Sequence, residues 1–404
     1  MPLDDVNLFD LDRVQERGFP HDWFKRLRAE APVHRHPAPD GVGYFWVISR
    51  HADVVRLSKD PGLYSSGMGT NLWEHAEEDL PAIQSMLVNM DPPQHVKYRR
   101  LVSAGFTPRM VSRLEPHIRE LARQIVDRIS GKGECDFVRE VAAELPLQVI
   151  AELMGVPTDE RQRIFDWSNR LIGFDDPEFQ HSRQDGKAAA SELWLYAHNM
   201  ATERKGRSRE DMVSALVNGS VDGESLSDLE VNNFVLLLAV AGNETTRNLI
   251  SGGMLALIEH PEQRERLLAD RALLPHAVEE MLRWVTPVAH FRRTVTRDHE
   301  LHGQLLSKGE RVSLWYPSAN RDESVFQEPD TFDAGRQPND HLAFGMGEHF
   351  CLGANLARLE IQIMFEELLE RLPDLRLAGT PIRLRSNFIN GIKQMPVRYT
   401  PEHG

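Results

Sequence analysis

The longest helical pattern in the sequence spans residues 227–260, and it limits the possible folds more than any other feature. Ser227-Asp-Leu-Glu230 matches a capping box, in which a serine and a glutamate at this spacing bind the first free amides of a helix. Pro261 predicts the end of the helix, because proline cannot continue one. At ~1.5 Å per residue, such a helix is on the order of 45–50 Å long. It would cross a whole domain, so the remaining chain has to pack around it.

The middle of this helix carries an unusual group of residues, Ala241-Gly-Asn-Glu-Thr-Thr246. Gly242 costs a helix about 1 kcal/mol, and Glu244 closely follows an apolar run. Thr245 can donate a hydrogen bond to the carbonyl four residues back. Together these residues predict a local opening of the helix that admits water and passes protons. Thr245 alone is typical of an ordinary helix threonine.

Cys351 lies in the glycine-rich stretch Phe344-Gly-Met-Gly-Glu-His-Phe-Cys-Leu-Gly353, directly before a second helical pattern. A thiolate that binds iron is stabilised by backbone amides and by a helix N-terminus, and this position offers both. Gly347 and Gly353 would let the backbone approach a flat ring closely. Phe344 can keep water away from the sulfur. The stretch is therefore compatible with an iron site.

Taken alone, the cysteine stretch leaves two alternatives open. A free cysteine is usually a small, buried and inert residue, so Cys351 is equally compatible with a structural role. A protease-type nucleophile is also conceivable, because His349 lies two residues away. The only other cysteine, Cys135, is typical of a core residue. Two cysteines exclude a disulfide scaffold and a cysteine-rich zinc or iron–sulfur site.

Two further pairs of charged residues have the spacing of neighbours on one face of a helix. Asp91-Pro92 predicts a helix start, and His95 and Arg99 share one face of that helix. Two potential cations on one face indicate either an anion between them or an ordinary solvated basic surface. Glu280 and Arg283 are three residues apart on another predicted helix. As an isolated pair they predict a surface ion bridge worth under ~1 kcal/mol.

Charge and hydropathy restrict the partners and the location. The net charge of −14 argues against a nucleic-acid partner. The first residues are acidic and lack the apolar core of a secretory signal. The longest apolar run, residues 234–241, is far shorter than the ~20 residues that cross a bilayer. We therefore expect a cytoplasmic protein without a membrane anchor.

In this order and spacing, four motifs resemble the pattern of the cytochrome P-450 family of haem-thiolate monooxygenases. They are the cysteine stretch, Ala241-Gly-Asn-Glu-Thr-Thr246, Glu280-x-x-Arg283, and a loop with Pro329, Phe332 and Arg336. The resemblance extends from about residue 20 to the end of the chain. It implies a mainly α fold, in which residues 1–404 form one helical cytochrome P-450 domain with small β-sheets.

The resemblance also implies roles for individual residues. Cys351 would be the haem iron ligand, and Glu244 and Thr245 the acid–alcohol pair associated with oxygen activation and proton delivery. The propionates of the haem would be bound by His95, Arg99, Arg293 and His349. Ala241, Phe344 and Gly353 would lie beside the cofactor. A buried structural triad would consist of Glu280, Arg283 and Arg336.

Two segments resemble a bacterial subgroup that oxidises steroid side chains, methyl-branched lipids, terpenoids and alkyl chains. They are Ala241-Gly-Asn-Glu-Thr-Thr-Arg-Asn248 and Arg385-Ser-Asn-Phe-Ile-Asn-Gly-Ile-Lys-Gln394. Substrates of this kind need an apolar pocket. Its predicted lining is Leu237, Val240, Ala241, Val288, Ala289, Phe388 and Ile389.

The implied enzyme is a monomer that uses haem b and O2 and takes electrons from NAD(P)H only indirectly, through a ferredoxin and its reductase. A basic patch would bind the ferredoxin: Lys97, Arg100, Arg109, Arg113 and Arg358. A peroxide-using or rearrangement enzyme on the same haem-thiolate site is the main rival, and the intact pair Glu244 and Thr245 argues against it. A non-enzymatic haem sensor is the other alternative.

Overall fold

Helices dominate the structure, a computed structural model that describes residues 3–39, 41–103, 106–207, 209, 211–220 and 223–402. The mainly α prediction is confirmed. The α-helices are α1 (Leu11–Arg17), α2 (His21–Glu30), α3 (His51–Ser58), α4 (Leu80–Gln84), α5 (Gln94–Ser103), α6 (Pro108–Ser130), α7 (Glu144–Met154), α8 (Arg161–Ile172), α9 (Arg183–Arg204), α10 (Met212–Asn218), α11 (Asp228–Glu259), α12 (Pro261–Ala269), α13 (Leu274–Val285), α14 (Tyr316–Ala319) and α15 (Ala354–Arg371).

Helix α11 is the central element, and it packs against α7, α8, α9, α13 and α15. The predicted capping box is present. Ser227 accepts a hydrogen bond from the amide of Glu230, and the Glu230 carboxylate accepts one from the amide of Ser227 at 2.8 Å. The helix extends over 32 residues, and Pro261 begins the next helix. Local hydrogen-bond chemistry therefore determines both ends of this element.

The predicted opening in the middle of α11 is wrong, because the helix is continuous through Gly242. This glycine faces Ile150 of α7, where an added Cβ would lie 2.8 Å from the Ile150 Cδ1 atom. A glycine at this position allows α7 and α11 to pack closely. The predicted bond of Thr245 is present, since its hydroxyl donates to the carbonyl of Ala241 at 2.8 Å.

Short strands form four small sheets beside the helices. The largest has the order β1-β2-β8-β5-β3, with β2 and β8 parallel and the other neighbours antiparallel. The strands are β1 (Val33–Pro37), β2 (Tyr44–Ile48), β3 (Tyr64–Ser65), β4 (Glu134–Asp136), β5 (His290–Val295), β6 (His299–Leu301), β7 (Gln304–Leu306), β8 (Arg311–Trp315), β9 (Arg376–Leu377), β10 (Ile382–Arg383), β11 (Ile392–Gln394) and β12 (Pro396–Arg398).

Helix α5 begins at Gln94, later than the predicted start at Asp91-Pro92. The Asp91 carboxylate accepts a hydrogen bond from the amide of Ser66 at 2.8 Å, so this tertiary contact takes the place of a helix cap. The amide of His95 donates to the Asp91 backbone carbonyl at 3.0 Å. The shift leaves His95 and Arg99 on one face, which lines the main cavity.

That cavity lies between α11 and the cysteine stretch, with α5, β5 and α15 contributing side chains. The largest hydrophobic cluster surrounds it among the helices, and a second cluster packs on the five-stranded sheet. Within the described residues, none of the helices combines the length and apolar composition that a membrane crossing requires.

Candidate active site

The cysteine stretch forms a tight loop that leads into α15. The amide of Cys351 donates to the carbonyl of Phe344 at 2.9 Å. Gly345 and Gly347 have φ angles of 71° and 74°, which favour glycine. An added Cβ at Gly347 would also collide with the carbonyl of Ser58 on α3. Gly347 is therefore needed for the turn and for packing against α3, and its predicted approach to a ring stays a prediction.

The Cys351 thiol faces the cavity and is exposed to it. Gly353, which lines the same cavity, has open space where a side chain would begin. The pKa of the Cys351 thiol is raised, because removal from bulk water is the largest effect. The Gly353 amide and the charges of Arg99 and Arg358 oppose this rise. A bound metal ion would shift the balance to the thiolate, which is the form that binds metals.

Side chains that were predicted to bind an anion meet at one end of the cavity. They are His95 and Arg99 on α5, Arg293 on β5, and His349 in the cysteine stretch. The ring centroids of His95 and His349 are 4.3 Å apart. The Nδ1 atom of His95 is buried and has no hydrogen-bond partner in the part of the chain that the structure describes.

The permanent positive charge at this end comes from the two arginines. Burial and the neighbouring arginines lower the pKa of His95 to about 4 and that of His349 to about 2, so both rings are neutral at pH 7. Arg293 is only 4% exposed, and burial lowers the pKa of its guanidinium. Among the described lining residues, the one acid is Glu360, and burial raises its pKa to about 8. The cavity is therefore electropositive and suits an anionic ligand.

The acid–alcohol pair of α11 is divided between two sides of the helix. Ala241 and Thr245 line the cavity. Glu244 is not among the described lining residues; it is 1% exposed, and its carboxylate pairs with Arg247 one turn further along the helix. Burial raises the pKa of Glu244, and the charge and hydrogen bond of Arg247 oppose this shift. Of the predicted acid–alcohol pair, Thr245 therefore faces the cavity, whereas Glu244 faces Arg247.

The apolar wall contains some of the predicted residues. Leu237, Ala241 and Val288 line the cavity. Three others, Val240, Phe388 and Ile389, pack in an adjoining cluster with Ile172 and Leu384. Ala289 belongs to a different cluster, which includes Phe24 and Trp315, so its predicted place on the wall is wrong.

Several lining residues are not among those predicted from the sequence. Phe234, Leu238 and Leu249 lie on the cavity face of α11, and helical spacing from Thr245 would have found them. Leu87, Val88 and Phe106 come from short or irregular segments whose side-chain direction carries no periodic signal. Phe291 lies on β5 two residues before Arg293, so the alternation of strand side chains would have found it.

The predicted triad is assembled in the protein interior. The Glu280 carboxylate accepts from Arg283 at 2.7 Å and from Arg336 at 3.1 Å, and all three side chains are at most 9% exposed. Arg283 also donates to the carbonyls of Asn320 and Pro329, at 2.9 and 2.8 Å. These contacts form a buried network that holds the loop before the cysteine stretch. Glu280 and Arg283 therefore do not form the surface ion bridge that is expected of them as an isolated pair.

The residues around the cavity fit a haem group. Within the described residues, a thiol faces the cavity, and the two arginines share the lining with one carboxyl group, Glu360, whose raised pKa keeps it mostly neutral at pH 7. The buried Nδ1 atom of His95 has no hydrogen-bond partner among these residues, although Glu348 Oε2 lies 3.9 Å from it. A flat dianionic group with a central iron would satisfy each of these features, since Cys is a haem ligand and arginine binds carboxylates well.

Comparisons with known proteins agree with this chemistry. The sequence profile of the cytochrome P-450 family matches residues 134–373. A steroid C26-monooxygenase from Rhodococcus jostii is 44% identical over 98% of this chain and 85% of the relative. A methyl-branched lipid omega-hydroxylase from Mycobacterium tuberculosis is 42% identical over 99% of this chain and 96% of the relative.

A solved structure is similar over the same extent. The cytochrome P-450 of Mycobacterium marinum in complex with pseudoionone superposes with a TM-score of 0.91 at 40% identity, covering 99% of both chains. The family profile, the full-length relatives and the shared fold all support the same assignment. The chain belongs to the cytochrome P-450 family and is a monooxygenase that uses haem iron and O2 on hydrophobic substrates.

Proposed function

We propose that this enzyme hydroxylates a C–H bond of a steroid, a terpenoid or a fatty-acid-like lipid, including methyl-branched lipids. The observation that carries the proposal is the cavity between Thr245 and Cys351, whose remaining wall is mostly apolar. Such a wall excludes water and favours an aliphatic substrate. The names of the relatives, a steroid monooxygenase and a branched-lipid hydroxylase, support the same substrate classes.

The cofactor in this proposal is haem b. Cys351 would bind its iron, and its propionates would interact with Arg99, Arg293, His95 and His349. When bound, a haem with a thiolate ligand supplies an iron centre that activates O2, because the sulfur donates electron density that favours O–O cleavage. Phe344 and Gly353 lie on the lining of the same cavity and would border the ring.

The protein would contribute positioning, exclusion of water and protons. Leu237 and Val288 would hold the aliphatic part of the substrate on the apolar wall. The hydroxyl of Thr245 lies at the cavity surface and donates to its own helix, so it can also accept a proton-carrying hydrogen bond. Glu244 would be the buried acid that receives protons on the other side of α11.

Electrons would pass from NAD(P)H to a reductase, from the reductase to a ferredoxin, and from the ferredoxin to this enzyme. This chain of proteins would operate in the cytoplasm. In this proposal residues 1–404 form one domain that acts as a monomer. Arg109 and Arg113 are exposed at the start of α6, as a docking surface requires. Lys97 pairs with Glu224, and Arg358 with Glu279, so these two charges are already partly balanced.

Charge reversal at the start of α6 tests the docking surface. Arg109→Glu and Arg113→Glu should slow reduction by the ferredoxin about 10-fold at low ionic strength, because complementary charges mainly raise association rates. Stopped-flow reduction at two salt concentrations measures this. Arg139→Glu, at another exposed position, is the control. Equal rates for all variants at low salt would argue against docking at α6.

A substrate screen tests the reaction. Steroids, terpenes, and linear and branched fatty acids are titrated into the haem-loaded enzyme and followed by the optical spin shift, and products are then analysed. At least one class should bind and be hydroxylated. Leu237→Trp should weaken that binding about 10-fold by filling the cavity, while Leu229→Trp, 43% exposed on the same helix, should not. Absence of product from every class would contradict the proposal.

A further inference from the structure

Glu279 on α13 joins two side chains that lie beside the cysteine stretch. Its carboxylate accepts two hydrogen bonds from Arg358 on α15, from Nε at 2.6 Å and from Nη2 at 2.8 Å. It also binds Nε2 of His341, in the loop before the stretch, at 3.1 Å. These three residues are called the Glu279 cluster below. Because a bidentate pair of arginine and carboxylate has a specific geometry, the cluster fixes one orientation of the Arg358 guanidinium.

The hydrogen bonds of His341 determine how charge is distributed in the Glu279 cluster. The amide of Ala343 donates to Nδ1 of His341 at 3.2 Å, so Nε2 carries the ring proton and donates to Glu279. Burial opposes ionisation of Glu279, but the hydrogen bonds from Arg358 and His341 outweigh it and lower the pKa of Glu279 to about 2. At pH 7 the cluster therefore holds one negative charge on Glu279 and one positive charge on Arg358.

The Glu279 cluster packs on Phe344, the first residue of the cysteine stretch. The guanidinium carbon of Arg358 lies 4.6 Å from the centroid of the Phe344 ring, within the range of a cation–π contact. The centroid of the His341 ring lies 6.2 Å from the same point. The Phe344 carbonyl in turn accepts the hydrogen bond of the Cys351 amide at 2.9 Å. One residue therefore connects the Arg358 guanidinium to the backbone of Cys351.

The charge of Arg358 acts on the cysteine sulfur. Together with the charge of Arg99, it opposes the rise that burial causes in the pKa of the Cys351 thiol. The side chains of Arg358 and Glu279 are 35% and 29% exposed, so water screens their charges only in part. The two opposite charges largely cancel at a distance. Removing either one would leave a whole charge beside the sulfur.

Reduction of a bound iron is sensitive to charge at this place. When ferric iron gains one electron from the ferredoxin, the site becomes more negative by one charge, so a nearby positive charge favours reduction and a negative charge opposes it. We propose that Glu279 is a positioning residue that sets the reduction potential of the haem, by holding Arg358 against Phe344 and cancelling most of its charge. The inference rests on the proposed function, in which Cys351 binds the haem iron.

The test compares Glu279→Gln with Arg358→Gln in full-length haem-loaded enzyme without substrate, by redox titration followed optically. Glu279→Gln should raise the equilibrium constant for reduction on the order of 10-fold, which is about 59 mV for one electron. Arg358→Gln should lower it by a similar factor, and the double variant should return close to the wild type, as coupled charges do. A merely structural role would move both single variants in the same direction, because either change would loosen the same loop.

Glu366→Gln is the matched control. Glu366 lies on α15 about two turns beyond Arg358, pairs with Arg119 at 2.6 Å and is 35% exposed. This variant removes the same charge farther from Cys351, and its potential should equal that of the wild type. Equal shifts in Glu279→Gln and Glu366→Gln would overturn the inference. Shifts of one sign in Glu279→Gln and Arg358→Gln, or no shift in either, would do so as well. A wild type that forms no hydroxylated product would refute the proposed reaction separately, because the potentials are measured without substrate.

Discussion

Replacement of Cys351 by alanine is expected to abolish the thiolate-type spectrum of the reduced carbon monoxide complex and, with it, substrate oxidation. Cys351 is the cysteine on the cavity lining, and alanine cannot donate electron density to iron. Loss of a residue that merely supports a metal ligand costs about 10- to 100-fold in affinity or activity. Loss of the ligand itself should therefore lower turnover by more than about 100-fold. The spectrum and product formation are measured on the same preparation.

Cys135→Ala provides the control for this result. Cys135 lies in β4, and burial raises its pKa to about 12, so it is a neutral thiol at pH 7. Its removal should leave the spectrum and turnover intact and reduce only stability. Cys351→Ala should still fold, because its side chain faces the cavity. A thiolate spectrum that persists in Cys351→Ala would disprove the ligand assignment.

The parts of the fold that local chemistry determines could be predicted from the sequence. As predicted, α11 begins after the capping box at Ser227 and ends before Pro261. These ends could be predicted because helix ends depend on a few hydrogen bonds between neighbouring residues. The start of α5 could not be predicted, since the Asp91 carboxylate binds the amide of Ser66 from a distant loop. A tertiary contact of this kind leaves no trace in the local pattern.

Backbone geometry explains why the site was only partly predicted. Adjacent residues of a helix do not face the same side, so Glu244 and Thr245 point apart, one to Arg247 and one to the cavity. Neighbours in extended chain point to opposite faces in the same way, which separates Val288 from Ala289. The contact of Gly347 with the Ser58 carbonyl could not be predicted, because α3 is distant from the cysteine stretch in sequence. Family motifs identify which residues matter, whereas their direction follows from the element that carries them.

The other large effect is expected from Glu280→Gln, which should destabilise the protein by about 3–5 kcal/mol. Glu280 is the carboxylate that Arg283 and Arg336 share, and it is fully buried. A glutamine keeps the shape but leaves two guanidinium charges in the interior without a counter-ion. Chemical unfolding followed by circular dichroism measures the change in the free energy of unfolding.

The surface pair Glu120 and Arg123 is the matched control, because these side chains are 48% and 56% exposed. Glu120→Gln should cost under ~1 kcal/mol, since water screens exposed ion pairs. The Glu280 network also fixes the loop before the cysteine stretch, as Arg283 donates to the carbonyls of Asn320 and Pro329. Glu280→Gln should therefore lose haem at denaturant concentrations where Glu120→Gln retains it. Equal stability and equal haem retention in both variants would mean that the buried network does not anchor the cysteine stretch.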